Sequence, residues 1–97
     1  MSVGRTALFL GAPVPTPTTG EVEISWWLPR GGFTSLTVWD AAGRQRATLF
    51  EGELQAGPGR RSVTLADETG RILPSGVYWL KLASAKNHAV QKVVISN

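Results

Sequence analysis

The sequence alternates apolar and polar residues along most of its length, and glycine- or proline-rich segments interrupt this alternation. Residues 21–28 are the clearest case, with Val22, Ile24, Trp26 and Leu28 separated by mostly polar residues. Successive side chains of a β-strand point to opposite faces of the sheet, so this pattern indicates a strand with one buried face. No segment has the apolar spacing of an amphipathic helix. The pattern predicts an all-β fold.

Seven segments of the sequence are predicted strands. They are residues 7–10, 21–28, 33–39, 45–50, 60–65, 77–83 and 89–95. Seven short strands in 97 residues are typical of a β-sandwich. We therefore predict a single immunoglobulin-like β-sandwich of about seven short antiparallel strands, with Leu36, Val38, Val93 and Ile95 among its inward-facing residues.

The intervening segments predict turns and one connector. Residues 11–20 hold three prolines and three threonines, and proline keeps the backbone extended, so we expect an extended connector there. Residues 40–43 and 56–59 are predicted to break the chain between strands. The sandwich domain is predicted to span residues 7–97, and residues 1–6 to be a linker or an added start that precedes it.

Composition excludes several classes of function. The net charge is +3, and Arg60–Arg61 is the only adjacent pair of basic residues, whereas a nucleic-acid groove needs clustered basic residues. There is no cysteine, so disulfides and thiolate metal sites are absent. The apolar run at residues 7–10 is too short for a secretory signal or a membrane span. We expect neither a nucleic-acid partner nor insertion into a membrane.

The sequence also lacks the residues of an active site. His88 is the only histidine, and no serine has the context of a nucleophile elbow. Asp67 and Glu68 lack the alternating acidic residues of a calcium loop. We therefore predict a protein that is not an enzyme and that uses no metal or cofactor.

The four tryptophans are the strongest candidates for ligand binding. Trp26 falls on the inward face of its strand, whereas Trp27, Trp39 and Trp79 fall on the outward register. Exposed tryptophan is enriched at binding sites, so the predicted binding face is Trp27, Trp39, Val77 and Trp79, for a sugar ring or a protein surface. The alternative is that loops, Lys and Arg stems or a bulge cover these rings.

Five short motifs occur in order along the chain. They are V-E-I-S-W-W-L-P at 22–29, L-T-V-W-D-A-A-G-R at 36–44, G-P-G-R-R-S-V at 57–63, S-G-V-Y at 75–78 and Q-K-V-V at 91–94. Together they resemble the C-terminal sorting domain of type IX secretion cargo and the related immunoglobulin-like domain of flagellar hook-capping proteins. Three positions depart from that pattern: Pro15-Thr16-Pro17, Arg46 and Leu65. Arg46 suggests an edge strand, because charge there blocks pairing between sheets.

The resemblance implies a non-catalytic domain at the C-terminal part of a larger exported bacterial protein, secreted or held at the cell surface. Protein partners would be the secretion machinery or the parent domain. The implied sorting signal is the last strand, with residues Gln91, Lys92, Val93, Val94 and Ile95. Gln91 falls on the inward register. This awkward polar position suggests either a loosely held strand end that is available for strand addition or an ordinary final strand with Gln91 at the end of a sheet.

Two other functions remain open at this point. The domain could be a self-associating structural module, as the likeness to hook-capping proteins implies. It could also be a binding module for carbohydrate or protein that uses the outward tryptophans.

Overall fold

The computed structural model describes residues 7–97, so the segment predicted for residues 1–6 lies outside the described residues. All regular elements between residues 7 and 97 are strands, as predicted. They are β1 (Phe9–Leu10), β2 (Glu21–Leu28), β3 (Gly32–Asp40), β4 (Gln45–Leu54), β5 (Gly57–Thr64), β6 (Gly76–Ser84) and β7 (Asn87–Ile95).

The strands form two antiparallel sheets, with strand orders β1-β2-β5 and β4-β3-β6-β7. The residues predicted to face inward from both sheets meet in one core, so the predicted sandwich is confirmed. Alternation accounts for this result, because the buried residues of β2, β3 and β6 are separated by residues that are more exposed. The fully buried side chains include Ile24, Leu28, Leu36, Leu65, Leu73, Leu80, Leu82 and Ile95.

The break predicted at residues 56–59 is wrong, because β5 begins at Gly57. Pro58 fits a strand here because β5 is an edge strand. The N–H of Leu65 donates to the carbonyl of Gly20 at 2.7 Å, and backbone groups alternate along an antiparallel strand. Residues 64, 62, 60 and 58 therefore direct their backbone groups away from β2, and the missing N–H of Pro58 costs no ladder hydrogen bond.

The connector at residues 11–20 joins the two sheets instead of only crossing the surface. Val14 exchanges two backbone hydrogen bonds with Glu23 of β2, at 3.0 and 2.7 Å. Four residues later, Thr18 forms a parallel bridge with Ile95 of β7. The connector is free of helix, as predicted, and its backbone polar groups are satisfied by strands of both sheets.

β4 is an edge strand of the four-stranded sheet, which confirms the expectation drawn from Arg46. The pairing of β3 with β4 shifts at two places, leaving Leu49 and Arg46 as extra residues on β4. Bulges of this kind are common at sheet edges. Arg46 reaches back to the Asp40 carboxylate, with Nη1 and Oδ2 3.5 Å apart.

Asp40 organises the tight turn after β3, which lies at the break predicted for residues 40–43. Its carboxylate accepts hydrogen bonds from the backbone N–H groups of Ala42 and Arg44, both at 2.9 Å, and from Nε of Arg44 at 3.0 Å. The N–H of Arg44 and the nearby guanidinium favour the ionised carboxylate and lower the pKa of Asp40 below its ordinary value of 3.8.

Candidate functional site

The predicted sorting strand corresponds to β7, which pairs with β6 along its whole length and lies at an edge of the four-stranded sheet. Val93 and Ile95 are buried in the core, as the alternation predicts. Lys92 and Val94 lie on the opposite, outward register. β7 therefore contributes to the core on one side and presents side chains to solvent on the other.

Gln91 has a hydrogen-bond partner, so its polar side chain on the inward register does not by itself indicate a loosely held strand. Its Nε2 donates a hydrogen bond of 2.8 Å to the carbonyl of Leu10 in β1. This side chain links the two sheets at the side where β1 and β7 are neighbours. A polar residue on the inward register is satisfied here because the carbonyl of Leu10, in the edge strand β1, accepts its hydrogen bond.

The outer edge of β7 is paired at one end only. The carbonyl of Val94 accepts from the N–H of Thr18 at 2.9 Å, and the N–H of Ser96 donates to the carbonyl of Thr18 at 2.8 Å. The N–H of Val94 also donates to Oγ1 of Thr16, at 3.2 Å. The connector thus covers the C-terminal part of this edge.

The remainder of the edge is open within residues 7–97. Because backbone groups alternate along a strand, residues 88, 90 and 92 point the same way as residue 94, away from β6. No backbone hydrogen bond from the connector or β1 reaches them. We call the backbone N–H and C=O groups of His88, Val90 and Lys92 the open edge. Exposed backbone of this kind is the template to which an extended partner adds a strand.

Three of the four residues of the predicted binding face come together. Trp39 and Trp79 are direct partners across β3 and β6, and Val77 precedes Trp79 on the same face. Trp79 is 40% exposed and Val77 39%. Nε1 of Trp39 donates to Oγ1 of Thr37 at 2.9 Å, which fixes the orientation of that ring. We call Trp39, Val77 and Trp79 the aromatic surface.

Trp27 does not join the aromatic surface. It lies on β2 in the other sheet, between its strand partners Phe9 and Pro58. Its ring is half-buried, and its Nε1 is buried without a hydrogen-bond partner within residues 7–97. The alternation of β2 places Trp27 outward correctly, but a period of two gives no information on which sheet a strand joins.

Asp67, one of the two acidic residues considered for a calcium loop, has a local structural role. The Asp67 carboxylate accepts from the hydroxyl of Thr69 at 2.6 Å and from the backbone N–H of Arg71 at 3.1 Å. These bonds, above all that from the Thr69 hydroxyl, lower the pKa of Asp67. Its carboxylate therefore closes its own turn. Among the described residues no cluster of His, Asp or Glu could hold a metal ion.

The sequence matches the model of the family described as "Secretion system C-terminal sorting domain" over residues 14–96. This span includes both β7 and the aromatic surface. Sorting domains of this family mark the C-terminal part of exported, cell-surface proteins. No curated protein matches the sequence.

Two solved structures from Porphyromonas gingivalis resemble the fold. Dimeric latent PorU aligns with a TM-score of 0.66 and 11% identity, over 96% of this chain and 10% of PorU. PorZ, a surface component of the type IX secretion system, aligns with a TM-score of 0.53 and 17% identity, over 93% of this chain and 11% of PorZ. The chain spans about a tenth of each protein, and identities this low establish the fold alone. In residues 7–97 no helix is long and apolar enough to cross a membrane.

Proposed function

This chain belongs to the family of secretion system C-terminal sorting domains, and from that membership we propose that it directs an exported protein to the type IX secretion machinery. It acts as a non-catalytic sorting signal for that protein. The machinery is a protein partner, which agrees with the recognition that the family implies. The exported protein is of the cell-surface class that this family marks.

The open edge is the observation that carries the proposal further. The partner contributes one extended segment that pairs with the backbone of His88, Val90 and Lys92. Main-chain hydrogen bonds in such strand addition supply affinity, and neighbouring side chains supply specificity. The core residues Val93 and Ile95 and the hydrogen bond of Gln91 to Leu10 support this role, because they keep β7 ordered before the partner arrives.

Charge disfavours pairing of the open edge with a second copy of the chain. An antiparallel pairing of two β7 strands centred on Val90 sets Lys92 of one copy opposite His88 of the other. Such a pairing gives Lys92 no acidic partner across the two strands. Lysine on an edge strand is also a common protection against self-association. A different protein is therefore a better partner than another copy.

Surface delivery of a reporter tests the sorting role. The 97-residue chain is fused to the C-terminus of a periplasmic reporter in a host that has type IX secretion. A second fusion lacks residues 92–97, which removes two core residues, so its folding is measured by circular dichroism. Delivery of the intact fusion and retention of the truncated one supports the proposal. Periplasmic retention of an intact fusion that is folded overturns it.

Ligand binding at the aromatic surface is a second candidate function. It is favoured by the pairing of Trp39 with Trp79 on an outward sheet face. It is independent of the open edge, because it uses side chains of β3 and β6 and not the backbone of β7.

A further inference from the structure

We propose that the aromatic surface binds an acidic saccharide, with a sugar ring on Trp79 and its carboxylate held by lysine. This site uses side chains on the outward face of β3, β6 and β7, including that of Lys92, and not the backbone groups of the open edge. The exposed area of the surface, the charge beside it and the contacts of its two rings indicate this class of ligand.

The exposed apolar area is small. Trp79 is 40% exposed, and Val77 and the neighbouring Val90 are 39% and 48% exposed. A tryptophan has about 150–250 Å² to bury, so these three residues together offer roughly 200 Å². A stable protein interface needs about 800 Å² on each partner. The aromatic surface is too small to hold a protein through its apolar residues, but one sugar ring covers an indole.

On the side of Trp79 formed by β6 and β7, the charged side chains are all lysines. Residues 76–95, which form β6, β7 and their turn, contain Lys81, Lys86 and Lys92 and no Asp or Glu. Lys92 is the strand partner of Trp79, so its side chain lies beside the ring on the same face. A ligand that places an apolar face on Trp79 and an anion beside it matches this arrangement.

The two rings have different roles. Nζ of Lys81 lies 5.8 Å from the centroid of the Trp39 ring, so that ring already has a cation over it. Trp39 is also tied through its Nε1 to Thr37. Within residues 7–97, Trp79 has neither kind of contact, and it is the more exposed ring. Trp79 is therefore the ring on which the sugar stacks, and Lys92 binds the carboxylate. Trp39 and Lys81 lie beside Trp79 and do not stack on the ligand.

Affinity electrophoresis of the full chain tests the proposal with three polymers. Polygalacturonate carries acidic sugar rings, dextran carries neutral sugar rings, and polyglutamate carries carboxylates without sugar rings. We expect polygalacturonate to retard the chain at a polymer concentration at least about tenfold lower than either other polymer does. Equal retardation by dextran overturns the acidic specificity. Equal retardation by polyglutamate overturns the saccharide and indicates an acidic protein segment instead.

Tryptophan variants separate the site from general attraction to a polyanion. Trp79→Ala keeps the net charge, and we expect it to weaken retardation by polygalacturonate about tenfold or more. Lys92→Ala also weakens it, and added salt reduces the difference between Lys92→Ala and the wild type. Trp27→Ala on the other sheet is the matched control and leaves retardation unchanged. Equal effects of Trp79→Ala and Trp27→Ala, with both variants folded by circular dichroism, overturn the proposal.

Discussion

The indole ring of Trp26 lies on the backbone of Gly59, its direct partner across β2 and β5. A Cβ atom at residue 59 would overlap Cε2, Nε1 and Cζ2 of that ring. The Trp26 ring therefore requires glycine at residue 59. The backbone conformation does not, because the φ angle of Gly59 is not in the left-handed region. An aromatic ring that covers a glycine on the neighbouring strand compensates for the missing side chain. The Trp26 ring also packs against the Phe50 ring, with their centroids 5.8 Å apart.

Gly59→Ala is expected to destabilise the domain by about 1–3 kcal/mol, because the new methyl group overpacks the core. Denaturant unfolding of both single variants and of the double variant with Trp26→Ala gives the coupling between the two residues. In the Trp26→Ala background, Gly59→Ala should cost little or become stabilising. An equal cost in both backgrounds would show that the ring does not set the requirement for glycine.

Trp26→Ala should destabilise the domain by about 3–5 kcal/mol, since it empties a large core position. Trp27→Ala should cost about 1 kcal/mol, because its half-buried ring lies on the outward face. Equilibrium urea melts of the two adjacent variants measure the difference directly. Similar losses for both would contradict the register of β2.

Most of the architecture could be predicted because the alternation is strict where one face is buried. β2 has the predicted bounds, and the predicted inward residues Leu36, Val38, Val93 and Ile95 are all in the core. The start of β5 could not be predicted, because Gly57, Pro58 and Gly59 have the composition of a turn. Their place in a strand depends on an outer edge that tolerates proline and on a ring from another strand.

The site was less predictable, because it depends on contacts between distant parts of the chain. The sequence indicates that Gln91 is an inward polar residue, but its acceptor is the carbonyl of Leu10. Likewise, alternation gives the outward direction of Trp27 and Trp79, but strand order puts them on different sheets. The extent of the open edge depends on Thr16 and Thr18, whose place beside β7 only the fold establishes.

Arg61→Ala should destabilise the domain by about 0.5–1 kcal/mol, since its guanidinium lies 4.5 Å from the centroid of the Phe50 ring. Arg60→Ala is the matched control. It removes the same charge from the outward register, and its effect should stay within about 0.5 kcal/mol. Chemical denaturation, with Phe50→Leu added to complete a double-mutant cycle, measures the contact. A coupling of zero between Arg61 and Phe50 would refute it.

Protonation of Asp40 should make the folded protein less stable at acidic pH. Its pKa is lowered in the folded state, chiefly by the N–H of Arg44, so the folded protein favours the ionised carboxylate. The resulting stabilisation is fully present above the ordinary value of 3.8 and is lost as the pH falls through the lower folded pKa. Thermal melts from about pH 7 to about pH 2 should show a smaller acid loss for Asp40→Asn than for the wild type. Parallel profiles below 3.8 would contradict this assignment.

The measurement that tests the central claim most directly is surface delivery of reporter fusions that carry one edge proline each. Val90→Pro removes an outward N–H from the open edge, and Ser62→Pro removes an outward N–H from the edge of β5. Both positions lie on edge strands that tolerate proline. With both variants folded by circular dichroism, the account predicts that Val90→Pro abolishes delivery and that Ser62→Pro is delivered like the wild type. Normal delivery of folded Val90→Pro, or equal loss in both variants, would contradict recognition through the open edge.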